Sequence, residues 1–169
     1  GPQGAGARNG GGRRGGGAVE AGWGRVEKNG HSVVDKQAAL LSLSKGLDGI
    51  NQGNKALLEL AQQASAQIAS AGGSLREVDF SNQLAVLSQR IAKNANSLVS
   101  SDEVDPEVAF LLGKDTGTFR DILNGLLKGS DALRLPGAVR ADDARATLTE
   151  MQKRFAGYEG GVNAILQNM

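Results

Sequence analysis

The stretch LLSLSKGLDGINQGNKALLELAQQASAQI, residues 40–68, repeats apolar side chains at alternating steps of three and four residues. The positions of this seam are Leu40, Leu43, Leu47, Ile50, Asn54, Leu57, Ala61, Ala64 and Ile68. Such spacing is the heptad pattern of a helix that buries one stripe against other helices. The sequence therefore predicts a long first helix over about residues 33–70.

Three further segments show the same helical period. Short breaks separate them from the first helix and from one another. Glycine at 72 and 73 suits the left-handed end of a helix, Asp105 and Pro106 suit a helix start, and Pro136 with Gly137 cannot continue one. The predicted helices are residues 77–99, residues 106–129, and a fourth that begins near Asp142 and Asp143 and continues to the end of the chain.

These four helices predict an all-α fold. Amphipathic helices that carry one apolar stripe each and are joined by short connections pack economically as an antiparallel up-down four-helix bundle. In such a bundle we expect one shared interior, to which the four helices contribute Leu47, Leu87, Phe119 and Phe155.

The N-terminal segment differs from the rest in composition. Residues 1–22 are rich in glycine, which loses much backbone entropy on folding, so we expect a flexible leader there and a helical module over residues 23–169. Residues 23–29 are interpreted as the end of a further helix that precedes the first seam.

Composition excludes several classes of function. The 169 residues carry 19 basic and 18 acidic side chains, a formal net charge of +1, so no overall field favours nucleic acid. There is no cysteine and only one histidine, His31, which we expect at the surface. With no nucleophile, metal-ligand set or phosphate-binding loop in view, we predict neither an enzyme nor a bound cofactor or metal.

The acidic residues between the second and third helices could in principle bind a cation. The cluster of Asp102, Glu103, Asp105 and Glu107 lacks the central glycine and the twelve-residue spacing of a calcium loop. Helix capping is the simpler interpretation.

Polar residues interrupt the apolar seams of the first two helices. Asn54 and Asn94 lie where each heptad favours an apolar side chain, and buried asparagine can fix the register within a bundle or a dimer. On the second helix, Gln83, Arg90 and Asn94 share one edge of the apolar stripe. Asp115 falls at a core-type position of the third helix and needs a partner if it is enclosed.

Two interpretations of Arg90 remain open at this point. In the first, Arg90 pairs with Asp115 as a buried structural ion pair, which satisfies both charges at once. In the second, Arg90 and Asn94 face a small anion or a partner protein, between helices or between subunits.

The residues LSQRIAKNA, at 87–95, resemble the signature of PilJ-type sensor domains, helical extracytoplasmic modules of type IV pilus chemoreceptors and of related nitrate-responsive receptors. The segment FRDILNGLLKG, at 119–129, is also similar to a helix of that family. The resemblance covers residues 23–169.

This resemblance implies a sensing module in the periplasmic part of an inner-membrane receptor that controls twitching motility. It implies a homodimer, pilin or another pilus component as the signal, and membrane attachment only through flanking helices outside this chain. Nitrate-responsive relatives carry arginine three positions before the serine of the motif. Here that position is Ala85, so nitrate binding is not carried over.

A second class of function competes with sensing. The chain could be a structural helical assembly domain in which the polar seam residues serve the register alone. The two interpretations differ in what they require of Arg90, a ligand contact in one and only an ion pair in the other.

Overall fold

The computed structural model describes residues 18–137 and 141–169, with side chains described from residue 34 onward. This part of the chain is all-α and contains no strand. Four helices account for it: α1 (Ala18–Ser70), α2 (Leu75–Ser100), α3 (Pro106–Lys128) and α4 (Asp142–Gln167). The chain divides into two units after Leu41, and the second unit, Ser42–Met169, contains the bundle.

The bundle has antiparallel up-down topology. Along α1, Ser42 contacts Asn168 and Gln67 contacts Thr147, so α4 runs opposite to α1. Asn51 pairs with Asn96 and Asn54 with Gln89, so α2 also runs opposite to α1. The short connections between consecutive helices produce this arrangement, and the predicted fold class is confirmed.

One hydrophobic cluster fills the bundle, and every helix contributes to it. Leu87, Phe119 and Phe155 lie in the cluster, and the partly buried Leu47 packs against it. The rings of Phe119 and Phe155 stack with their centroids 4.5 Å apart, which joins α3 to α4 at mid-height. The shared interior expected from the seams is therefore present.

The helix ends follow the predicted breaks. Gly72, at φ +77°, ends the turn after α1, and Ser74 caps α2 in a reciprocal pair of hydrogen bonds with Glu77. Asp105 caps α3, where Pro106 occupies the first turn. Helix α4 starts at Asp142, as its acidic first turn indicates.

Two N-terminal predictions need correction. Helix α1 begins at Ala18, so residues 18–22, predicted as leader, are helical, and residues 23–29 belong to α1 rather than to a separate helix. An established helix propagates through isolated glycines because each costs only about 1 kcal/mol. The remaining leader residues, 1–17, lie outside the described part of the chain.

The predicted seams also need three corrections. Leu40 is 66% exposed, so the packed part of the α1 seam starts later, at the partly buried Leu43. Asn54 and Asn94 are half-buried at the rim of the core rather than inside it. In α2 the buried position next to Asn94 is taken by Ala95.

Candidate functional site

The candidate site is built on the α2 segment 87–98, where polar and apolar residues alternate at helical spacing. Its apolar stripe, formed by Leu87, Ile91, Ala95 and Leu98, is buried in the core. The polar residues between these positions therefore project to the flanks of the stripe, towards the neighbouring helices or towards solvent.

Arg90 makes a bidentate ion pair with Asp115 of α3. Its Nε donates to Asp115 Oδ2 and its Nη2 donates to Oδ1, each over 2.7 Å. The two side chains differ sharply in exposure, with 51% of the Arg90 side chain accessible and only 3% of Asp115. The hydrogen bonds that Arg90 donates to Asp115 raise the pKa of the Arg90 guanidinium, so the arginine stays charged.

The guanidinium of Arg90 retains donors beyond this pair. Arginine has five N–H donors, and the bidentate geometry uses only two of them. Because half of the Arg90 side chain is accessible, the other donors can reach solvent or a ligand. The ion pair considered from the sequence is thus present, but only its carboxylate is buried, and the half-exposed arginine keeps donors for another partner.

Tyr158 of α4 reaches α2 through the interior. Its hydroxyl donates a hydrogen bond of 2.8 Å to the backbone carbonyl of Ser88, and both residues are buried. Burial raises the pKa of the Tyr158 phenol above its ordinary value, because the charged phenolate would lose its hydration. Sequence reasoning missed this contact, since a backbone acceptor leaves no trace in the pattern of side chains.

Amide side chains join α2 to α1. Gln89 Nε2 donates to Asn54 Oδ1 over 3.0 Å, and Asn51 and Asn96 exchange hydrogen bonds of 2.9 and 3.3 Å. The role predicted for Asn54, a polar group that sets helix pairing, is compatible with this contact. The sequence did not identify Gln89 as the partner of Asn54. The spacing of seven residues nevertheless places Gln89 and Asn96 on one face of α2, the face that contacts α1.

The remaining two predicted site residues on α2 do not join these contacts. Asn94 is half-buried and Gln83 is exposed, and within the described side chains neither makes a hydrogen bond. Asn94 follows Arg90 by one helical turn, so both lie on the edge of α2 that borders α3, and we call the surface between the two helices at this point the groove. Its amide is available to a ligand in that groove.

Other sequence candidates are placed as follows. The carboxylate of Asp105 accepts from the Glu107 backbone N–H, so this member of the acidic cluster is a helix cap. Among the described residues, no group of His, Cys, Asp and Glu side chains is arranged to hold a metal ion. His31 lies outside the residues whose side chains are described.

No family model matches the chain, and no curated protein matches it either. Within the described residues, none of the helices combines the length and hydropathy needed to cross a bilayer.

Proposed function

We propose that the bundle is the signal-receiving module of a PilJ-type receptor, and that the groove of Arg90 and Asn94 between α2 and α3 contacts the signal. The observation that supports this most directly is the exposure of Arg90. Half of the Arg90 side chain is accessible, and the pair with the buried Asp115 uses only two of its five N–H donors, so the others can bind a ligand.

The chemistry of the groove favours a carboxylate-bearing surface on a protein partner. Free guanidinium donors bind carboxylates well, and the unpartnered amide of Asn94 adds two N–H donors and a carbonyl acceptor. We propose a pilus component such as pilin as that partner, a periplasmic location, and a homodimer as the receptor form. The signal then acts by favouring one arrangement of the packed helices over another.

A structural helical assembly domain is the second candidate. The observation that favours it is the completeness of the Arg90–Asp115 pair, which satisfies the buried carboxylate without a ligand. Both candidates share the fold and differ only in the use of Arg90.

Calorimetry on a charge-free variant distinguishes these candidates. Replacing both partners, Arg90→Met with Asp115→Leu, removes the ion pair without leaving an unpaired buried charge, so we expect a folded protein. If Arg90 contacts the signal, the wild-type chain binds pilin and the double variant does not. Nitrate is titrated in parallel and is expected not to bind.

The matched control is the ion pair between Arg120 of α3 and Glu159 of α4, which lies on another face of the bundle. The variant Arg120→Met with Glu159→Gln should bind pilin as the wild type does. No binding by the wild type, or equal binding by all three proteins, would count against the sensing proposal and favour the structural alternative.

A further inference from the structure

Helix α2 contains one aromatic side chain, Phe80 near its start, which packs against the core but is only partly buried. Phe119 anchors α3, and Phe155 and Tyr158 anchor α4, whereas the buried apolar residues of α2 are leucine, isoleucine and alanine. A shift of α2 by one heptad would place Leu84 where Ile91 lies, and Ile91 where Leu98 lies. The same shift would place Phe80 where Leu87 lies, an exchange of one large apolar side chain for another, so apolar packing alone distinguishes poorly between the observed register and a slipped one.

Three consecutive residues of α2 make polar contacts that favour the observed register over a slipped one. The Ser88 carbonyl accepts from Tyr158 of α4, Gln89 donates to Asn54 of α1, and Arg90 donates to Asp115 of α3. Less than one helical turn of α2 is thus bonded to each of the other three helices.

The directions of these bonds restrict the movement of α2. Successive residues of a helix point about 100° apart, so a rotation of α2 that preserves one of the three contacts strains the others. Sliding α2 along its axis breaks all three contacts together. A helix bonded to only one neighbour would not be restricted in this way.

We infer that Ser88, Gln89 and Arg90 form a register clamp, a conformational device that holds α2 at one height and one rotation within the bundle. The clamp acts on the choice between packed arrangements rather than on helix formation, which the apolar seams secure. It operates whether the domain senses a partner or serves assembly, so it does not depend on the proposed function.

The test compares the wild type with a variant that lacks the clamp. The full chain contains no cysteine, so spin labels can be attached at Lys93→Cys and Lys114→Cys, two exposed positions on α2 and α3. The distance between the labels is measured by pulsed electron paramagnetic resonance, and helix content by circular dichroism. The variant carries Gln89→Ala, Arg90→Met, Asp115→Leu and Tyr158→Phe.

We expect one narrow distance distribution in the wild type. The variant should keep its helix content and show a second population, because a one-heptad slide displaces α2 by about 10 Å along its axis. A control alters four polar side chains elsewhere in the bundle and should keep the single distribution. It carries Arg120→Met, Glu159→Gln, Gln152→Ala and Asn124→Ala.

Three outcomes would overturn the inference. A single unchanged distance in the clamp variant would show that the clamp does not set the register. Loss of helix content would show that these residues supply stability instead of register. A second population in the control as well would show that the clamp is not specific.

Discussion

At the scale of single residues, the Arg90–Asp115 pair is asymmetric because only one of its members can be hydrated. Removal of Asp115 leaves a half-exposed guanidinium that water can solvate. Removal of Arg90 leaves a carboxylate enclosed by α3 and its neighbours, whose charge then has no compensation. The two single variants should therefore differ, although they break the same bonds.

We expect Arg90→Ala to lower the free energy of unfolding by about 3 kcal/mol, as for a buried pair that loses one partner. Asp115→Ala should cost only about 1 kcal/mol, close to the net value of a hydrogen bond. Urea denaturation monitored by circular dichroism measures both. Equal costs, or a larger cost for Asp115→Ala, would contradict the assignment of Asp115 as the dependent partner.

Tyr158 predicts a specific dependence of stability on alkaline pH. Its pKa is raised in the folded state, so the native protein keeps the phenol proton at a pH where the unfolded chain, with an ordinary tyrosine pKa of about 10, has lost it. The contribution of Tyr158 to the free energy of unfolding is therefore fully present below pH 10. It falls as pH rises above 10, by up to about 1.4 kcal/mol per pH unit.

Tyr158 is the only tyrosine, so Tyr158→Phe isolates this effect from the titration of lysines that both proteins share. Denaturant midpoints at pH 8, 9, 10 and 11 should fall more steeply above pH 10 for the wild type than for Tyr158→Phe. Parallel curves for the two proteins would mean that the phenol titrates normally and is accessible to water.

The sequence predicted some of these residue contacts and not others, for physical reasons. Arg90 and Asp115 are opposite charges on apolar faces of neighbouring helices, so their pairing could be considered from spacing and charge alone. The contact of Tyr158 depends on a backbone carbonyl, and every residue has one. The contact of Gln89 depends on rotamers at an exposed rim, which helical periodicity does not determine.

At the scale of elements, α1 and α4 approach each other closely through glycine. A Cβ atom added at Gly161 would lie 2.5 Å from the backbone oxygen of Gly46, and one added at Gly46 would lie 2.8 Å from the oxygen of Gly161. Neither backbone can move aside without separating the helices. A Cβ atom added at Gly157, one turn earlier in α4, would have no other atom within 4 Å.

Gly157 and Gly161 of α4 should respond oppositely to alanine. Gly157→Ala should stabilise the protein by about 0.5–1 kcal/mol, the difference in helix propensity. Gly161→Ala should destabilise it by about 2 kcal/mol, as expected for overpacking. Thermal unfolding of the two variants beside the wild type measures this. Stabilisation by both would show that the contact with Gly46 is not a tight one.

The sequence predicted the breaks between helices more accurately than the length of each helix. The breaks at Gly72, Asp105 and Pro136 use backbone chemistry that has few alternatives, so the structure places turns there. The start of α1 had no such signal. The glycine-rich composition of residues 1–22 suggested a leader, but residues 18–22 contain only Gly22, and helix continuity outweighs the local cost of one glycine.

At the scale of the whole molecule, the heptad seams determine the fold class because four one-sided apolar stripes must face one another. The seam does not show where packing begins along α1, since Leu40 fits the pattern as well as Leu47 does. Whether a seam residue of α1 is exposed depends on whether another helix lies beside it. The lengths of α2, α3 and α4 determine where those helices end, and the α1 sequence does not encode these lengths.

The position of the core predicts that the bundle folds without the N-terminal unit. Among residues with described side chains, no member of the hydrophobic cluster precedes Leu43, and the unit Ser42–Met169 contains all of the contacts discussed above. A chain of residues 42–169 should therefore unfold cooperatively, with a loss of about 1 kcal/mol from the new helix end, the cost of a missing cap.

Removal of residues 160–169 at the other end is the control for this truncation. That segment contains Val162 and Ile165, both fully buried, and each contributes about 1.5–3 kcal/mol through burial. Urea denaturation should show a far larger loss for this truncation, although it removes fewer residues. If the chain of residues 42–169 lost several kcal/mol instead, residues before Ser42 would have to supply packing to the core, and the bundle would not be the independent folding unit that its contacts indicate.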